Sequence, residues 1–356
     1  MDRMKRIGMG MFLAVSLLAG CGPETNEDPK PGDAVSARCD EATAEYLAFD
    51  VTHHAPQDLR LQKIDEAIAL FTVTADELSS VGARADAVLA IYTDTTANLQ
   101  AKVKGRTDVH FVDDTAAAVG PALDATILGA IEDLRNADTL LKVSLAKQKF
   151  EKAGMYRFLY LSVLQELHAP SKKHYDEAYG YFGSGPGNAE AGQKGLARLA
   201  TKRDGNNGTT LSAELFAALK EGACSLETAL AIKGVDSMTL EDDELYARFV
   251  RQFDVKLQSV FAYSLGHELF DIEVKKGDAE TAYIKLVEGE GFFQTLEPYM
   301  HIIPGSAKAT LAAELRSAFD DALSKAAAGD TSWIAEFDAV GLLGKLETAF
   351  GIDVKA

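Results

Sequence analysis

The stretch Leu245-Tyr-Ala-Arg-Phe-Val-Arg-Gln-Phe-Asp-Val-Lys-Leu-Gln-Ser-Val-Phe-Ala-Tyr-Ser-Leu265 repeats a large apolar side chain at Leu245, Phe249, Phe253, Leu257, Phe261 and Leu265. Four-residue spacing puts successive members on neighbouring turns of one helical face, whereas a half-buried strand would alternate every second residue. Outward from this stripe, Leu61, Ile64, Ala67, Ile68 and Phe71 recur at three and four after Pro56. Alanine-rich stretches at 116–131, 308–328 and 335–349 supply good helix formers, and no comparable run alternates with period two. The pattern predicts an all-α bundle. Asp204-Gly-Asn-Asn-Gly-Thr209 and Gly183-Ser-Gly-Pro-Gly187 read as loops between helices.

Met155-Tyr-Arg-Phe-Leu-Tyr-Leu-Ser-Val-Leu164 is apolar on nearly every side, which places it as a central helix. It runs toward Pro170, and Ser171 can cap the helix that follows. A loose echo recurs about 103 residues on. Tyr160 and Lys172-Lys173 correspond to Tyr263 and Lys275-Lys276, and Asp176-Glu-Ala-Tyr179 to Asp278-Ala-Glu-Thr-Ala-Tyr283. Chance and two related helical halves both account for it.

The 356 residues are 47% hydrophobic and 25% charged, which excludes a disordered or collagenous chain. Acidic residues outnumber basic ones 54 to 36, for a net charge of −18. A nucleic-acid partner is not expected, because phosphate binding needs a basic face.

Arg3, Lys5 and Arg6 precede an apolar stretch from Met9 to Ala19 that is too short to span a bilayer. It ends Leu18-Ala19-Gly20-Cys21, which resembles the bacterial lipobox, in which the cysteine thiol takes a diacylglyceryl group before cleavage. The expected organisation is a signal peptide over 1–20, lipidated Cys21 with a flexible tether over 21–40, and a helical domain over 41–356. Acyl chains then hold the protein on the membrane. Gly22, rather than Asp, after the lipidated cysteine implies by the common sorting rule an outer-membrane destination. Of three cysteines, Cys39 and Cys224 remain beside Cys21. The oxidising export compartment favours a Cys39–Cys224 disulfide, the alternative being two separately buried thiols.

Among seven histidines, His174 stands three residues before Glu177, so an imidazole and a carboxylate share one helical face. Bundles present metal ligands inward at this spacing, and iron and zinc both accept mixed nitrogen and oxygen donors. An acidic first turn after a cap is the purely structural account of the same residues. His267 and Asp271, four apart, could converge on the pair, although a satisfied polar patch at a helix end is the commoner outcome. The Asp204 loop departs from a calcium hand, with Gly208 at the fifth position and Leu215 at the twelfth. Gly183–Gly187 lacks the Lys-Ser/Thr ending of a phosphate loop, and neither Gly-x-Ser-x-Gly nor His-Glu-x-x-His occurs.

His174-Tyr-Asp-Glu-Ala-Tyr-Gly-Tyr-Phe-Gly183 resembles the His-Trp-Asp-Glu-Ala-Tyr/Phe-Gly-Tyr-Phe-Gly signature of an uncharacterised bacterial lipoprotein family related to imelysin. Val287-Glu-Gly-Glu-Gly-Phe-Phe-Gln-Thr-Leu296 is similar to that family's Ser-Glu-Gly-x-Gly-Phe segment. The resemblance covers roughly residues 50–300. It implies a helical, exported protein associated with iron acquisition, and the reading adopted is a non-catalytic binding component of iron or haem acquisition; peptidase activity has support only from old naming in the related family. His174 and Glu177 would then ligate iron or another transition metal, with Glu288, Glu290, His267 or Asp271 completing the set. The chain departs from the pattern at Lys172, where imelysin has Gly, and at Tyr175, where the signature has Trp. Lys285, Leu286 and Val287 stand where family members tend to carry a His. The rival reading is a metal-free surface lipoprotein that docks a protein partner through its acidic bundle.

Overall fold

The computed structural model describes residues 51–110, 118–183 and 194–355. The leader, Cys21, the tether and Cys39 lie outside them. Helices α1 (Val51–Ala69), α2 (Val81–Thr93), α3 (Leu99–Lys104), α4 (Gly120–Arg135) and α5 (Leu140–Gln148) form the first part. A π-helical segment, Lys149–Tyr156, leads without a break into α6 (Arg157–Leu167), and α7 (Lys172–Phe182) folds back on it. Then come α8 (Gly195–Asn207), α9 (Leu211–Lys233), α10 (Glu244–Val274), α11 (Ala279–Met300), α12 (Ala307–Ala327), α13 (Trp333–Glu336) and α14 (Ala339–Phe350). No strand occurs among the described residues, so the all-α architecture read from the sequence is the one observed. None of these helices is long and apolar enough to cross a membrane.

The 31-residue α10 is the spine of the bundle. Asp243 caps it by accepting the Tyr246 backbone N–H at 2.9 Å. Phe249, Phe253, Leu257, Phe261 and Leu265 are buried as the spacing predicts, but Leu245 is only half-buried and Tyr246 takes its place in the core. A strict four-residue stripe drifts around a helix of 3.6 residues per turn, so the buried face gathers neighbours such as Val250 and Val260 along its length. Each fully buried aliphatic or phenyl side chain contributes about 2 kcal/mol.

At the centre, α6 buries Phe158 through Leu164 without an exposed position, as its all-round apolar character requires. The preceding π segment packs against α11 where Gly291 permits it: a Cβ there would lie 2.7 Å from the Lys152 Cβ and 2.9 Å from the Ala153 backbone N. The echo segments are two helical hairpins, α6–α7 and α10–α11, with Tyr160 and Tyr263 buried on their first arms.

One expected loop is helix. Asp204 to Asn207 form the last turn of α8, which ends at Gly208 in the left-handed region (φ 68°). Asp204 stays helical because its carboxylate is satisfied from beyond the turn, accepting from Thr209 Oγ1 at 2.6 Å and from the backbone N–H groups of Leu211 and Ser212 at 2.7 and 2.8 Å. Of the other expected loop, Gly183 ends α7 with φ 110°, and 184–187 lie outside the described residues. Cys224 is buried on α9 and disulfide-bonded. Its partner lies outside the described residues, as Cys39 does.

Candidate metal centre

Ser171 sets the register of α7. Its hydroxyl accepts the His174 backbone N–H at 3.2 Å, which makes His174 the third residue of the helix and puts Glu177 one turn further on the same face. The turn between α6 and α7 is held from outside by the Met238 N–H donating to the Pro170 carbonyl at 3.0 Å. The last turn of α6 then brings Glu166 beside α7. Ligand atoms of Glu166, His174 and Glu177 lie within 4.8 Å of one another, the one such group of three among the described residues.

The three side chains are graded in exposure. Glu166 is buried, Glu177 is 13% exposed at its side chain and His174 41%, so the cluster opens to solvent through the imidazole. Glu166 Oε2 meets His174 Nδ1 at 2.7 Å. With Nδ1 donating to the carboxylate, Nε2 keeps the lone pair that a metal requires, which is how a carboxylate orients a ligating histidine. Behind the cluster, Arg106 Nη1 donates to Glu166 Oε1 at 3.1 Å. Arg106 and Arg60 both donate to the Tyr181 hydroxyl, at 3.4 and 3.0 Å, and burial pushes that phenol up and keeps it protonated. Among the described residues, the exposed Lys173 ammonium is the charged partner of Glu177, 3.9 Å away. The mixed nitrogen and oxygen donors of the cluster fit iron or zinc.

Tyr175 and Phe182, within the same signature, are core residues, and Tyr175 OH donates to the Leu219 carbonyl. Glu166 is the member that spacing arguments miss, since its partners come from another helix. The signal available was an ionisable side chain closing an otherwise buried helix, where a charge must find a partner.

The other expected ligands are not brought to His174 and Glu177. Glu288 and Asp271 surround Lys285, whose ammonium lies 3.2 and 2.9 Å from them and 2.9 Å from Glu268. Glu290 pairs with Arg316 at 3.3 Å and accepts from Gln294. His267 Nε2 meets Asn206 at 3.2 Å, and burial lowers its pKa. These residues sit on α10 and α11, where lysine and arginine satisfy the carboxylates before any metal could. Burial, then the charge of Glu288, pushes the Glu268 carboxyl up to about 7. Burial opposes ionisation of Glu288 as well, but Lys152 and Lys285 hold it below its ordinary value.

Another buried constellation was also not singled out from sequence. His110 Nε2 lies 2.7 Å from Asp254 and Nδ1 3.0 Å from Asp108, while Tyr160 OH donates to Asp254 at 2.8 Å. Burial works against the imidazolium, but the two carboxylates outweigh it and raise His110 to about 9. His53 and His54 lie in the first turn of α1.

Set against protein-family models, curated proteins and solved structures, the chain matches none.

Proposed function

We propose that this is an exported lipoprotein, anchored through Cys21 in the outer membrane, whose helical body binds a transition-metal ion without catalysing a reaction. Support comes from one observation: α7 places His174 and Glu177 on one face, and α6 adds Glu166 at 2.7 Å from the imidazole. His174 Nε2 and the Glu177 carboxylate ligate the ion, and Glu166 fixes the imidazole from behind. The resemblance to imelysin-related lipoproteins points to iron as the metal and to its acquisition as the context.

Purified protein titrated with ferrous, ferric, zinc and copper ions is expected to take up one equivalent of at least one of them. A His174→Ala/Glu177→Ala double variant should lose it, and equal uptake by that variant would remove the site. The Arg106 pair already balances Glu166, which favours a metal-free docking module as the second reading. Absence of any uptake would leave that one. Labelled fatty acid should enter the wild type and not Cys21→Ser.

A further inference from the structure

The π-helical segment has a consequence separate from the metal cluster. π geometry is rare inside α-helices and is frequently found at functional sites. Here it turns Glu151, Lys152 and Tyr156 toward a cavity of ≈ 450 Å³ between the segment, α1 and α8. A small-molecule site typically occupies ~300–1,000 Å³.

The charge of this cavity opposes that of the protein. Lys147, Lys152, Arg198 and Lys202 line it against Asp65 and Glu151, four cations to two carboxylates in a chain of net charge −18. The pairing inside leaves two cations over. Arg198 is matched with Asp65 at 2.8 Å and Lys152 with Glu151 at 2.9 Å, with Glu288 beneath Lys152 at 3.5 Å. Lys147 and Lys202 form no ion pair among the described residues. Burial, then Arg203 and Lys152, depress the Lys202 pKa, with the Glu288 and Glu268 carboxylates opposing them more weakly. Arg198 and Lys202 stand four apart on α8 and so share a face. Ile68, Ala69 and Leu199 complete the wall with apolar surface.

We propose that this cavity binds a small organic dianion, its carboxylate or phosphate groups held by Lys147 and Lys202 and its short carbon skeleton against Ile68 and Leu199. Two ammonium groups with no carboxylate at ion-pair distance among the described residues give a ligand two points of attachment, one for each end of a dianion. Lysines act as point charges that accept either oxyanion, whereas the only guanidinium is already committed to Asp65. The acidic surface repels long polyanions, so the ligand is compact. The site shares no residue with Glu166, His174 and Glu177, and stands or falls independently of metal.

Calorimetric titration of the full protein at low salt, with succinate, glycerol 3-phosphate and acetate as probes, tests it. At least one dianion is expected to bind with a Kd below about 1 mM, and acetate about tenfold more weakly or worse. Lys147→Gln/Lys202→Gln should weaken the dianion by about tenfold or more, while Lys202→Arg and the distant Lys345→Gln keep it within about threefold. Succinate binding alone assigns a carboxylate ligand and glycerol 3-phosphate binding alone a phosphate. Failure of both dianions to bind up to about 10 mM, or wild-type affinity in the double lysine variant, overturns the proposal.

Discussion

On the α10–α11 hairpin the Lys285 ammonium lies 2.9 Å from both Glu268 and Asp271 and 3.2 Å from Glu288, whereas on α6–α7 the carboxylates of Glu166 and Glu177 converge on an imidazole. Both hairpins gather acidic side chains at a helix–helix seam, where unpaired charge is expensive. On α10–α11 an ammonium stands where a cation of another kind could, and the cluster is complete. On α6–α7, Arg106 satisfies one oxygen of Glu166 from behind and the open side holds the His174 imidazole. A fixed internal cation makes a carboxylate cluster structural; a half-exposed histidine leaves it open to a ligand. The contrast can be broken by removing the lysine. Lys285→Ala is expected to destabilise the protein by about 3 kcal/mol in urea unfolding, since it leaves buried carboxylates uncompensated. Part of that loss should return with millimolar zinc or manganese, and no recovery is expected for the wild type at this seam. A stability unchanged by the substitution would mean that Lys285 does not carry the cluster.

The same cluster gives a pH signature. Glu268 has a folded pKa of about 7, above its ordinary 4.5, so the folded state holds the extra proton between those values and stability falls as pH rises through them. His110, raised from 6.5 to about 9 by Asp108 and Asp254 against the cost of burial, acts in the same direction. Its contribution is fully present below pH 6.5 and is lost as pH rises through 9. Together they predict a decline of several kcal/mol between pH 5 and pH 9. His110→Gln should flatten the upper half of that slope, and Lys285→Ala should steepen the lower half. A chain whose unfolding midpoint is level across this range would contradict both assignments.

The bundle was largely legible because its signal is local and repetitive. Phe249, Phe253, Leu257 and Phe261 announce a helix whatever they pack against, and Ser171 announces a cap. Half of the candidate site was legible for the same reason, since His174 and Glu177 are three apart on one helix. Glu166 was not, because its relation to them depends on how α6 and α7 fold together. Lys285 misled in the opposite sense, its neighbours Glu288 and Asp271 reading as spare ligands until the lysine is seen between them. The π segment left no pattern that distinguishes it from α-helix. Its only trace is glycine, at Gly154 within it and Gly291 facing it. Gly291→Ala drives a Cβ to 2.9 Å from the Ala153 backbone N, and overpacking of this kind should cost about 2 kcal/mol and shift the Tyr156 environment in near-ultraviolet circular dichroism.

The finest test separates orientation from ligation within the receptive hairpin. If Glu166 acts by accepting the Nδ1 proton of His174, a glutamine carbonyl oxygen can do the same, and Glu166→Gln should weaken metal binding by less than about threefold. Glu166→Ala frees the imidazole to rotate and to exchange tautomers, and losing such an outer partner typically costs about 10–100-fold in affinity. A ligand role predicts another ordering, because an amide oxygen is a poor replacement for an anionic donor and both variants would fall together. Arg106 sharpens the distinction. With Gln at 166 the guanidinium loses its charged partner while the histidine keeps its hydrogen bond, so stability should drop more than affinity. Affinity falling more than stability in Glu166→Gln would place the carboxylate on the metal itself.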